Sequence, residues 1–325
     1  MSASPATAED LVFRPFREGD LPGVLRLWEE ESGWGGITPE QWRKWYVDRP
    51  DGACLVAVAE DGDGRVVGQA VFAPTVVRVD GEEVSAVRLG APILARETRR
   101  GSIRSQAHPM VRLYRAGARA CAEAGHRVLY AVPEHAWLPF FRWFGEFRMV
   151  EHPCAALPLA DPGPLRAAAG GLAAAPAAGF GAEYDALWER AAERFPIRCA
   201  VDRGAARLRH RIGGHVVLEA RDGADGALAG YAAVHRRTGL LEDVLARDPA
   251  GLAPVLAAAL AWLAGSPEGA GREVKAMDTP WLRPALHALG FAPVDYRFAF
   301  VCTPLDPSLS AERIDPARWY LAPGD

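Results

Sequence analysis

The chain has 325 residues, 24% charged and 50% hydrophobic, with 33 Gly and 26 Pro, which suits about two globular domains that each bury a core. A formal net charge of -4 and a pI near 6.1 argue against a broad polyanion-binding surface, so no nucleic-acid partner is expected. No apolar run approaches about 18 residues, and the opening MSASPATAED is polar, so the expectation is a cytoplasmic protein with no membrane segment. The cysteines (Cys54, Cys121, Cys154, Cys199, Cys302) are scattered and never form C-x-x-C, which reads as small buried residues of a reducing compartment. The histidines lack metal-ligand spacing, so no metal is expected.

Taken in order, residues 1–10 read as a flexible tail and Leu11–Phe16 as a short strand. Leu21–Glu31 follows as a helix with Leu21, Val24, Leu25, Leu27 and Trp28 on one face. After the Gly-rich loop SGWGG, Thr38 and Pro39 start a second helix whose aromatic face is Trp42, Trp45 and Tyr46. Strands at Cys54–Ala59, Val66–Val79 and from Val84 onward are separated by Asp/Gly turns. A compact arginine run, Arg99-Arg100-Gly101-Ser102-Ile103-Arg104-Ser105, then leads to an amphipathic helix carrying Met110, Val111, Leu113, Tyr114, Ala118 and Cys121, which ends at Gly125. Val128–Val132 is a further strand, Trp137–Gly145 a short helix, and Met149–Leu159 a last strand. Strand, basic Gly/Ser turn and helix is the build of a phosphate site, because helix-start N–H groups and guanidinium forks both favour an anion.

That element order, the RPFREGDLPGVLRLW opening, the DGDGRVVGQA hairpin, the arginine-rich turn and the stretch LPFFRWFGEFRMVEHP together resemble the GNAT (Gcn5-related N-acetyltransferase) family over residues 11–160. The family's pyrophosphate turn reads Arg/Gln-x-x-Gly-x-Gly/Ala. TRRGSIRS places Arg99 first, with Ser102 and Arg104 where the glycines stand. Residues 161–182, rich in Ala, Gly and Pro, read as a linker, and 183–325 echoes the first half. Val216–Ala220 and Ala227–His235 match the hairpin, Leu252–Leu263 the central helix, and Trp281–Leu305 the closing stretch, without an arginine-glycine turn. The fold class expected is therefore α+β, with two tandem GNAT-like domains, each a mostly antiparallel mixed sheet flanked by helices. The second is degenerate, and the RWYLAPGD tail docks through Trp319 and Tyr320.

The resemblance implies that the central strands splay, that backbone at Leu94 and Ala95 meets the pantetheine arm, and that Arg99, Arg100, Gly101, Ser102, Ile103, Arg104 and Ser105 meet the phosphates. Candidate bases are Glu97, after the central strand, and the Glu134-His135 pair, after the next one. Glu31, Trp34 and Tyr130 are candidate acceptor-binding residues. The tyrosine that often serves the family as acid is replaced by Phe141, four residues before Gly145, which leaves Tyr114 and Tyr130 as the candidate tyrosines.

The activity so implied is N-acyl transfer from an acetyl- or other acyl-CoA co-substrate to the amine of a small molecule of specialised metabolism, in a ternary complex, by a monomer or homodimer. Two other readings stay open. A catalytically silent GNAT-like binding module fits the altered glycines and the missing tyrosine. An aminoacyl-tRNA-dependent aminoacyltransferase fits the same altered turn, but the acidic pI counts against it.

Overall fold

A computed structural model of the chain describes residues 11–99, 101–143, 146–211 and 215–325. The tail expected at 1–10, together with Arg100 and Gly145, lies outside the described residues. Two compact units form: one from residues up to Val77, Glu82–Met149 and Phe300–Pro316, the other from Arg78–Gly81, Val150–Ala299 and Ala317–Asp325.

The first unit opens with β1 (Val12–Pro15), α1 (Leu21–Glu31) and α2 (Pro39–Tyr46). The α1 spacing buries Leu21, Val24, Leu27 and Trp28. The start of α2 is a reciprocal cap. Thr38 Oγ1 accepts from the Gln41 backbone at 3.2 Å, and Gln41 Oε1 accepts from the Thr38 backbone at 2.9 Å. Next come β2 (Leu55–Glu60), β3 (Val66–Val79), β4 (Glu82–Leu94), α3 (Pro109–Glu123), β5 (Val128–Ala131) and α4 (Leu138–Trp143). β1, β2, β3, β4 and β5 are neighbours in that order. Helix α3 rests on the sheet through Val111, Leu113 and Gly117. A methyl group at Gly117 would come within 2.0 Å of the Phe72 ring, so only hydrogen fits there.

The second unit takes β6 (Arg148–Pro158), α5 (Pro162–Ala168), β7 (Leu172–Pro176), α6 (Ala182–Arg194), β8 (Cys199–Val201) and α7 (Ala205–Arg211). It continues with β9 (His215–Asp222), β10 (Leu228–His235), β11 (Leu241–Ala246), α8 (Leu252–Ala264), β12 (Glu273–Met277), α9 (Arg283–Ala288), β13 (Ala292–Pro304) and β14 (Trp319–Tyr320). Apart from the short β8, the order β7, α6, α7, β9, β10, β11, α8, β12, α9, β13 repeats the order β1, α1, α2, β2, β3, β4, α3, β5, α4, β6 of the first half. The segment read as a linker at 161–182 is therefore corrected. It holds α5 and β7, and β7 pairs antiparallel with β9 from Leu172↔Asp222 to Pro176↔Leu218. Its alanines gave no alternation to read, since Ala sits equally well on either face of a strand.

The units also depart from chain order. β6, the last strand of the first repeat, pairs with β12 of the second unit from Glu273↔Pro158 to Met277↔Cys154. The end of β13, the last strand of the second repeat, pairs with β5 of the first unit from Val301↔Ala131 to Pro304↔Val128.

Within the second unit, β11 and β12 meet side by side at a parallel bridge, Leu240↔Lys275. The C-terminal segment packs against β11 and the loop that follows β12. The Tyr320 hydroxyl donates to the Val244 carbonyl at 2.5 Å, and its ring stacks on Trp281 at 3.6 Å. The fully buried Arg203 guanidinium bonds Asp243 at 3.1 Å and Asp325 at 2.9 Å, and Tyr231 donates to Asp243 at 2.8 Å. Such a cluster is tolerable in a low-dielectric interior only when every member is satisfied.

Candidate active site

In the first unit β4 and β5 run parallel and pair at Ala86↔Val128, Val87↔Leu129 and Arg88↔Tyr130, and among the described residues the pairing goes no further. β4 continues to Leu94 while its neighbour ends at Ala131. The sequence Gly90-Ala91-Pro92 supplies the bend. Ala91 takes a positive φ of 44°, strained for a residue with a Cβ, and Pro92 offers no N–H to a neighbouring strand. The fully buried Gln69 on β3 holds this kink, its Nε2 donating to the Ala91 carbonyl at 3.3 Å. The central strands therefore splay.

A cleft occupies the opening, in two lobes that share Trp34, Pro92, Met110, Glu134 and Trp137. The strand lobe, about 330 Å³, lies along Arg88–Pro92 and Ala131–Glu134 and is walled by Tyr46, Arg49, Tyr114, Phe140 and Phe141. The turn lobe, about 490 Å³, runs past Ile93 and Leu94 to Arg99, Gly101, Ile103 and His108. Burial pushes the Tyr114 hydroxyl far above the usual phenol range, so it stays protonated and can only donate or accept as a neutral group.

These positions sort the candidate residues. Leu94, Arg99, Gly101 and Ile103 line the turn lobe, whereas Ala95, Ser102, Arg104 and Ser105 do not. Ala95 donates its N–H to Val67 at 2.8 Å. Ser102 Oγ accepts from the Arg104 backbone at 3.2 Å, and Ser105 Oγ accepts from Ala107 at 3.2 Å. The Arg104 guanidinium stacks on Trp143 at 3.8 Å. The helix-start cradle expected at this turn is also corrected. Helix α3 begins only at Pro109, beyond Ser105, and its first turn is already capped. His108 Nδ1 accepts from Met110 at 3.2 Å, the His108 carbonyl accepts from Val111 and Arg112, and Pro109 has no N–H.

Glu31 and Arg99, assigned separately to acceptor and phosphate, bond each other at 2.6 Å. Glu31 also accepts from the Arg96 backbone at 3.1 Å, and Arg99 Nε donates to the Leu94 carbonyl at 2.8 Å. Glu97 turns away to Arg65 at 3.6 Å and lines neither lobe. His135 is exposed and off the cleft, while Glu134 faces both lobes. Tyr130 is buried beside Phe300, with ring centroids 5.9 Å apart, and does not line the cleft; Trp34 lines both lobes. The sequence reading missed Arg88 and Gln69. One signal for Gln69 was available, a lone amide inside the apolar run VVGQAVF.

Among solved structures, a GCN5-related N-acetyltransferase from Anabaena variabilis ATCC 29413 superposes with TM-score 0.65 at 12% identity, over 91% of this chain and 73% of that one. A tandem GNAT protein from the clavulanic acid biosynthesis pathway aligns at 19% identity over 92% of this chain and 100% of that one, with TM-score 0.50. The chain has a two-domain GNAT-like fold. A similar likeness, TM-score 0.54 at 10% identity over 92% of this chain and 82% of the other, holds for Saccharomyces cerevisiae N-myristoyltransferase with bound myristoyl-CoA. At such identities the likeness is one of fold. No protein-family model and no curated relative matches the sequence. Among the described residues of this GNAT-like chain, no helix is long and apolar enough to cross a membrane, and no three His, Cys, Asp or Glu side chains gather to hold a metal ion.

Proposed function

We propose that the chain is an N-acyltransferase that moves an acyl group from acyl-CoA to the amine of a small molecule, using the first unit's cleft. The observation that carries this reading is the open wedge between β4 and β5, with two lobes meeting at Glu134. The turn lobe takes the pantetheine arm along Pro92–Leu94 and the strand lobe takes the acceptor, so that amine and thioester meet at the shared wall. Holding both in one cleft supplies much of the rate by proximity. The amine nitrogen attacks the thioester carbon, the new C–N bond forms and the C–S bond breaks. Glu134 takes the amine proton directly or through water, and the departing thiolate collects a proton from solvent, giving amide and free CoA thiol. The second unit serves as a structural or acceptor-shaping partner.

One observation favours a second reading, a catalytically silent binding module: the α3 start is closed by His108 and Pro109 and offers no ready phosphate cradle. Calorimetric titration with acetyl-CoA and longer acyl-CoAs separates the two. Micromolar binding, weakened in Arg99→Ala, supports the transferase, and absence of binding to every acyl-CoA transfers support to the silent module.

A further inference from the structure

The strand lobe is mostly apolar, with Val71, Met110, Tyr114, Phe140 and Phe141 in its wall, yet its charges are unevenly arranged. Arg88, Arg49 and Tyr46 line the strand lobe alone, whereas the acidic Glu134 stands where it joins the turn lobe. Arg88 is the last β4 residue to pair with β5, is half-buried, and has no carboxylate partner among the described residues. Other half-buried arginines of the same unit are answered. Arg14 holds Asp20 at 2.7 Å, and Arg127 holds Asp306 at 2.9 Å. Arg49 adds positive charge, one of its nitrogens donating to the Trp45 carbonyl at 3.3 Å. Tyr46 lies close enough to feel both guanidinium groups, and burial keeps its hydroxyl protonated and able to donate. A guanidinium withdrawn from water without a counter-charge is unfavourable on its own and becomes favourable once a planar anion meets its fork.

We infer that the strand lobe selects an acceptor bearing a carboxylate as well as its amine, an amino acid with an apolar body, and that Arg88 reads the carboxylate. This rests on the acyl-transfer reading above. The amine end then lies toward Glu134 and the thioester, and the carboxylate toward Arg88 and Tyr46. Apolar wall and opposed charges together match a zwitterion with a hydrophobic side chain.

The test pairs each amino acid with its amide, phenylalanine with phenylalaninamide and leucine with leucinamide. Calorimetric binding and mass-detected acylation by acetyl-CoA are followed in wild type, Arg88→Gln and Arg88→Lys. The acids are expected to be preferred by about 10- to 100-fold, the range of a charge-assisted contact. That ratio falls to about one in Arg88→Gln and is partly kept in Arg88→Lys, with acetyl-CoA binding unchanged in both. Amides matching the acids, a preference that survives Arg88→Gln, or no binding of either acid while acetyl-CoA binds would each overturn the inference. If acetyl-CoA fails to bind but the acid preference and its dependence on Arg88 appear by calorimetry, acyl transfer falls and the carboxylate site stands. If Arg88→Gln does not fold, the wild-type acid-to-amide ratio decides alone.

Discussion

The first unit leaves the wedge between β4 and β5 open, while in the second the C-terminal segment lies against β11, the counterpart of β4. In the first, β4 bends at Gly90-Ala91-Pro92 and apolar side chains wall a cleft. In the second, Tyr320 bonds the Val244 carbonyl and stacks on Trp281, so the exposed strand edge is satisfied from within. The same strand arrangement thus serves as a binding site where side chains are withheld and as core where they are supplied. Two copies of one architecture need not share one activity.

The largest effect expected bears on the filled side. Arg203→Met leaves Asp243 and Asp325 as buried charges without their counter-ion, which destabilises by about 3–5 kcal/mol; urea unfolding measures it, and a change under about 1 kcal/mol would show the cluster to be dispensable. On the open side, Glu134→Gln is expected to lower kcat by roughly 10²–10³ with acyl-CoA affinity unchanged. An unaltered kcat would remove Glu134 from proton transfer.

His152 gives the second unit a pH dependence of its own. Its Nε2 is buried without a hydrogen-bond partner among the described residues, and burial pushes its pKa from 6.5 to about 4. Between those values the unfolded chain binds a proton that the folded chain refuses. Stability is therefore full above pH 6.5 and declines toward pH 4, by about 3 kcal/mol. Unfolding curves of His152→Phe against wild type across that window should differ in slope. A parallel pair of curves would mean that His152 is solvated. The smallest effect is Tyr320→Phe, which deletes one hydrogen bond and is expected to lower stability by about 1 kcal/mol; thermal unfolding that leaves Tm unmoved would show that stacking alone closes the second wedge.

Much of the fold was legible in the sequence because period and punctuation agreed. Leu21–Glu31 and Val66–Val79 form the elements that their apolar spacing and Asp/Gly turns predict. The stretch 161–182 was opaque because alanine carries neither period, so α5 and β7 emerged only from packing. In the site, Trp34 and Glu134 were within reach of sequence reasoning as loop residues flanking the central strands. Glu97 and Tyr130 were not separable from them, since a strand-end carboxylate or a strand tyrosine looks the same whether it faces Arg65, the core or a cleft.

The sequence by itself determined the element order of the first half, its echo in the second, the basic run before α3 and the C-terminal docking segment, all of which rest on local periodicity and composition. Tertiary structure alone decided that Glu31 and Arg99 bond each other, that α3 caps its own start, and that β6 and β13 pair outside their own repeats. It also decided that Arg88 faces a cleft with no carboxylate paired to it among the described residues. Partner choice among charges and strands is a long-range matter of geometry, and no local pattern encodes which of several equivalent groups will be within reach.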